Sequence, residues 1–173
     1  MNRELEQFKT DLVALLPRLQ CFARTLTHST PQSDDLLQAT VERALSRHHQ
    51  WQPGTRLDAW LFTILHSIWK NEIRARSIRE GQGFVDVDSL TETKPDASGT
   101  LLLHQVFTQV NRLPEAQRKA ILLVYVEGYT YREAADILDI PEGTLMSRLA
   151  RARGVLAQSI DESEKEGVRI ANE

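Results

Sequence analysis

Four polar residues near the C-terminal end, Thr144, Ser147, Arg148 and Arg151, recur at steps of three and four. At 3.6 residues per turn they share one helical face, opposite an apolar stripe of Leu145, Leu149, Ala152 and Leu156. Guanidiniums pair bidentately with guanine edges, and hydroxyls hold phosphate oxygens, so this face offers recognition of a DNA groove. A merely solvated polar face has the same pattern, and the face alone leaves both meanings open. A second candidate lies upstream. Lys70, Asn71, Arg74 and Arg76 follow Trp69, and Trp51 sits in a preceding loop. Cations track a nucleic-acid backbone and indoles stack on unpaired bases. The competing account is a core Trp69 beneath a solvated basic face.

Signals for catalysis are missing. The chain has no Walker loop, no G-x-G-x-x-G, no H-E-x-x-H and no G-x-S-x-G. His48 and His49 are adjacent, so on a helix they point about 100° apart and are badly placed to share a metal. Cys21 is the only cysteine, which excludes an internal disulfide, and its place on an apolar stripe marks it as a buried structural thiol. No catalytic residue, metal site or cofactor is expected.

The net charge of −3 argues against a polyanion partner, but its distribution argues for one. Residues 43–80 carry seven Lys/Arg against three acids, whereas residues 81–96 carry four acids against Lys94. The tail 161–173 has five acids against two cations. Local potential decays over about 8–10 Å, so a basic segment acts on its neighbours whatever the total. No apolar run approaches the ~20 residues of a membrane span. Met1-Asn2-Arg3-Glu4-Leu5 has no secretory apolar core. A cytoplasmic chain without membrane insertion is expected.

These residues need helices to position them, and the pattern is helical almost throughout. Phe8, Leu12, Leu15, Leu16, Leu19, Phe22 and Leu26 form one stripe on a first helix. Thr30-Pro31-Gln32-Ser33 breaks it, with Ser33 the expected N-cap of a second helix carrying Leu36, Leu37, Val41, Ala44 and Leu45. Trp51-Gln52-Pro53-Gly54 ends that helix. Thr55-Arg56-Leu57-Asp58 fits a capping box for a third, with Leu57, Trp60, Leu61, Ile64, Leu65 and Ile68 inward. Three helices, roughly 8–28, 33–49 and 56–78, are expected to close one core. Residues 81–99 are acidic, aperiodic and bounded by Gly and Pro, a linker. A second module follows over 100–160. Leu102, Val106 and Val110 mark a helix, and Pro114 opens the next, with Ile121, Val124 and Tyr125 expected inward and Gly128 as terminator. Thr130-Tyr131-Arg132-Glu133 is a second capping box, Asp139-Ile140 a turn, and Pro141 the start of the last helix. That is a helix-turn-helix. The fold class is all-α: two small helical domains, 1–80 and 100–160, with linker 81–99 and an acidic tail 161–173.

The layout resembles the extracytoplasmic-function sigma factors, the minimal two-domain sigma factors of bacteria. Three stretches carry the resemblance. They are Ser33-Asp34-Asp35-Leu36-Leu37-Gln38-Ala39-Thr40, then Pro53-Gly54-Thr55-Arg56-Leu57-Asp58-Ala59-Trp60-Leu61-Phe62, then Leu113-Pro114-Glu115-Ala116-Gln117-Arg118 through Pro141 to Arg153. The resemblance implies sigma region 2 in the first module and the helix-turn-helix of sigma region 4 in the second. It implies that Asp35, Leu36, Gln38 and Thr40 lie on the helix docking to the β′ coiled coil of core RNA polymerase. Trp51 and Arg56 would belong to the loop capturing a flipped base of the −10 element, and Lys70, Asn71 and Arg74 to a helix facing melting promoter DNA. The helix after Pro114 would meet the β flap, and Thr144, Ser147, Arg148 and Arg151 would read the −35 element. An anti-sigma factor is a further implied partner.

Two positions depart from the family pattern. Met146 stands where lysine is common, and Asp139 where the turn commonly has glycine. Aspartate tolerates left-handed φ better than most residues, so the turn can survive. A stand-alone helix-turn-helix regulator and a sigma mimic that titrates an anti-sigma factor are the competing functions. The first would bind DNA without polymerase, and the second would have no use for Arg148 and Arg151.

Overall fold

The computed structural model describes residues 2–27, 29–81 and 108–170. The expected linker from residue 82 onward, Leu102 and Val106 lie outside them. Among the described residues there is no strand. Helices α1 (Asn2–Leu26), α2 (Thr30–Ser46) and α3 (Leu57–Arg79) make the first module. Phe8, Leu12, Leu19, Phe22 and Leu26 of α1 pack on Leu36 and Ala44 of α2 and on Leu61, Phe62, Leu65 and Trp69 of α3. Phe22 and Phe62 meet edge to face at 5.1 Å, the geometry aromatic quadrupoles favour.

Two expected caps move. Helix α2 begins earlier, at Thr30, and its N-cap is Ser29, whose side chain accepts from the Gln32 amide. Pro31 lies in the first turn, where its missing N–H costs nothing, so it starts the helix instead of breaking it. Ser33 is then interior and fully buried, donating to the Thr30 carbonyl at 2.8 Å. At α3 the N-cap is Arg56 and no side chain caps it. Thr55 donates instead to the Gln52 carbonyl at 2.7 Å, and Asp58 is held by arginines and by the Ala59 amide.

In the second module, residues 108–112 are helical and Leu113 packs inward. Helix α4 (Glu115–Ile121) runs into a wider turn over Leu122–Val126, closed by the Glu127 amide on the Leu122 carbonyl at 2.9 Å. One extra residue per turn rotates the side chains that follow. Leu122 and Leu123 therefore face the core, whereas Tyr125, expected inward, is 53% exposed. Gly128, at φ +74, reverses the chain. Helix α5 (Tyr131–Leu138) starts with the expected capping box, Thr130 and Glu133 each bonding the other's backbone. Asp139 ends it in the left-handed region at φ 54. Helix α6 (Glu142–Ile170) buries Leu145, Leu149 and Ala152 completely.

The two modules do not stand apart. Helix α5 lies against α3, and α4 against α1. Phe62 meets Tyr129 edge to face at 5.9 Å, and the buried residues of both modules form one continuous cluster.

Candidate nucleic-acid and polymerase interfaces

On α6 the apolar stripe turns inward and leaves the opposite face to solvent. Ser147 and Arg151 are exposed, Thr144 and Arg148 half-buried. Ser147 donates to the Gly143 carbonyl at 3.0 Å, a bond that a base or phosphate can replace. The four residues are thus brought together as their spacing predicts, at the start of the second helix of a helix-turn-helix.

The α3 set divides. Asn71 and Arg74 are exposed. Lys70 is half-buried and engaged within the chain: its ammonium lies 3.1 Å from Asp139, in the turn between α5 and α6. Arg56 is likewise engaged, by Asp58 at 2.9 Å and by Glu133 at 3.0 Å, with its guanidinium 4.3 Å from the Tyr129 ring centre. Trp51 packs on Phe8 at 5.7 Å. Its indole N–H is buried and finds no hydrogen-bond partner among the described residues. Part of the ring thus belongs to the module's core.

On α2, Asp35 and Gln38 are exposed, and Gln38 bonds Glu42 at 2.9 Å. Leu36 and Thr40 sit one helical turn apart on the other face, buried at 2% and 0%, and the Thr40 hydroxyl donates to the Leu36 carbonyl. Their side chains hold α2 onto the module, and of the four residues only Asp35 and Gln38 face solvent.

Between the modules lie groups with no sequence signature. Arg18 of α1 reaches Glu127 at 2.6 Å and Asp58 at 3.2 Å. Burial pushes the Asp58 carboxyl up, but hydrogen bonds from Arg56 and the Ala59 amide outweigh it and hold the group at about 2. The capping bonds from Thr130 hold Glu133 below the usual carboxylate range, and the Lys70 ammonium does the same for Asp139. Deeper in, the Trp69 indole donates to Glu115 at 2.9 Å, and Glu115 pairs with Lys119 at 3.0 Å. Lys119 lies 3.4 Å from the His66 ring. Burial, with the Lys119 charge next, drives His66 down to about 3. Glu115 and Lys119 are charged residues at a spacing common on solvated helices, so only the packed structure reveals them as buried. Among the described residues no His/Cys/Asp/Glu group could hold a metal ion, and no helix is long and apolar enough to cross a membrane.

Comparisons with known proteins follow the same division of the chain. Residues 103–156 match the family model "Sigma-70, region 4", and residues 12–66 match "Sigma2 domain of PhyR". The ECF RNA polymerase sigma factor EcfG of Rhodopseudomonas palustris (strain TIE-1) is 33% identical over 152 residues, covering 88% of this chain and 84% of that protein. The RNA polymerase sigma factor CarQ of Myxococcus xanthus is 27% identical over 154 residues, 88% of each chain. Among solved structures, the sigma factor RpoE of Bartonella quintana, in complex with the anti-sigma factor NepR, superposes with a TM-score of 0.73 at 31% identity, over 90% of this chain and 98% of that one. The PhyRSL–NepR complex of Sphingomonas sp. Fr1 shares the fold at a TM-score of 0.61 and 22% identity, over 86% of each chain.

Proposed function

This chain belongs to the ECF RNA polymerase sigma factors, and on that premise we propose how its residues divide the work. As a sigma factor it binds core RNA polymerase, directs it to specific promoters and promotes strand separation there. Polymerase supplies the chemistry of RNA synthesis, and the sigma subunit supplies binding energy only. It acts where polymerase and chromosome meet, in the cytoplasm.

The N-terminal module, residues 1–80, engages core enzyme and the −10 element; the C-terminal module, residues 100–160, reads the −35 element. Thr144, Ser147, Arg148 and Arg151 carry that second role. The observation behind this assignment is the orientation of α6: Leu145, Leu149 and Ala152 are buried at 0%, which turns the polar face outward. Arginine paired with guanine gives about 1–3 kcal/mol of discrimination per good contact. Asp35 and Gln38 make the exposed contacts to the β′ coiled coil, with Leu36 and Thr40 stiffening the helix beneath. Trp51, Arg56, Lys70, Asn71 and Arg74 serve the −10 element. Extruding a base costs a few kcal/mol, which stacking and cation contacts must offset.

An anti-sigma factor is the natural inhibitor, a proposal supported by the relative of known structure bound to one. Transcription in vitro with core polymerase and a promoter library tests the whole assignment. The chain should co-migrate with core enzyme and initiate at a defined −35/−10 pair. Specific promoter binding by the chain alone, without initiation, would instead identify a stand-alone regulator.

A further inference from the structure

His66 of α3 belongs to the N-terminal module and Lys119 of α4 to the C-terminal module, and both side chains are buried where the modules meet. The Lys119 ammonium lies 3.4 Å from Nε2 of the ring. An ammonium carries donors only, so Nε2 accepts, which requires a neutral imidazole with its proton on Nδ1. A second ring proton would set N–H against N–H and two like charges side by side. The surrounding groups do not relieve this. Lys70 of α3 and Arg148 of α6 add positive charge, and Asp139 of the α5–α6 turn opposes them. Glu115 of α4 is engaged by Lys119 at 3.0 Å and by the Trp69 indole at 2.9 Å. We propose that this joint is a proton-operated release: uptake of a proton by His66 favours the separated modules over the closed chain.

The histidine and the ammonium sit on different modules, so separation alone gives both back to water. Burial, with the Lys119 charge next, holds the ring at about 3 in the closed chain, against an ordinary 6.5. Between those values the separated form binds a proton that the closed form refuses. Acid therefore acts as a ligand of the separated form alone. From pH 7.5 to 5.5 the ratio of separated to closed chain should rise about tenfold. Asp58, Glu133 and Asp139 face the same boundary and are held low. They push in the same direction, but only nearer the ordinary carboxylate range, below that window. A fall in pH thus readies the chain for any partner that must hold the modules apart, because such a partner binds in proportion to the separated fraction.

The Trp69 indole N–H reports the joint directly. Trp69 is 1% exposed and bonds Glu115 across the boundary, so this proton exchanges with solvent only when the joint opens. Full-length chain labelled with nitrogen-15 is followed by NMR in heavy water at pH 7.5 and 5.5, and Trp69→Phe assigns the signal. His66→Gln can still accept from Lys119 but does not titrate, so it supplies the intrinsic pH dependence of exchange. His66→Phe is a second non-titrating reference, and circular dichroism checks that each chain is folded at both pH values. Indole exchange in the unaltered chain, divided by that in either reference, should rise about tenfold from pH 7.5 to 5.5. A ratio that does not change with pH would overturn the proposal. The amides of Leu61 and Leu65, in the core of the N-terminal module, should stay more protected than the indole. Equal protection would mean that only unfolding opens the joint, and would overturn it as well. Affinity for core polymerase should gain the same factor, a consequence that rests on the function proposed above. Absence of core binding at every pH would overturn that function and leave the exchange result standing.

Discussion

The ammonium of Lys119 lies 3.4 Å from Nε2 of His66, and both side chains are almost wholly buried where α4 meets α3. Lys70 and Arg148 add positive charge near the same ring, and Asp139 opposes them. A histidine so placed is held neutral, at about 3 against an ordinary 6.5. Unfolding or separation of the modules returns it to water. Below 6.5 the released ring takes up a proton that the closed chain refuses, so stability falls as pH falls. Each pH unit in that window should cost about 1.4 kcal/mol. Asp58, Glu133 and Asp139 are held low as well, and their contributions fade only as pH drops toward the ordinary carboxylate range, below the pH 5.5 at which the measurement stops. Thermal midpoints measured from pH 7.5 to 5.5 should drop for the unaltered chain and drop less for His66→Phe. Parallel curves would refute the assignment.

Glu115 and Lys119 form a buried ion pair at 3.0 Å, with exposures of 3% and 2%. Removing one partner strands the other charge in a medium of low polarity. Glu115→Gln should cost about 3–5 kcal/mol in denaturant unfolding. Glu115→Gln combined with Lys119→Met should cost clearly less than the sum of the single changes. Additive costs would show that the two charges do not act as a pair.

The two faces of α6 should separate stability from recognition. Leu149→Ala, at a position with no exposure, should destabilise the chain by about 2–5 kcal/mol. Arg151→Ala, exposed, should leave stability within about 0.5 kcal/mol. It should nevertheless lower initiation from promoters with an intact −35 element by roughly five- to a hundredfold. Footprinting and abortive initiation, compared with a promoter lacking that element, distinguish the two effects.

Helix α2 offers a parallel pair. Asp35→Ala should weaken binding to core polymerase with an unchanged melting temperature. Leu36→Ala should lower the melting temperature, and weaken core binding only through the unfolded fraction. Surface-attached core enzyme measures the first and calorimetry the second. Equal loss of core affinity at full folding in both variants would mean that Leu36 turns outward in the complex.

Several features are local and were legible in the residues themselves. The Thr130–Glu133 capping box, the reversal at Gly128, the left-handed Asp139 and the inward Leu145–Leu149–Ala152 stripe each depend on residues within a few positions of one another. Helical periodicity and cap chemistry act over that range. Competition between local signals already blurs the result. Ser29 and Ser33 both suit a cap, and Pro31 decides for the earlier one. The wide turn over Leu122–Val126 rotates Tyr125 out of the core, and no composition signal marks that turn. The closure of the two modules is of another order. Arg18, Arg56 and Lys70 find partners 109, 77 and 69 residues away. A charge on a helix surface looks the same in sequence whether water or a distant carboxylate faces it. Only the packing of α3 on α5 and of α1 on α4 brings those ions within bonding distance and shuts Glu115, Lys119 and His66 away from water.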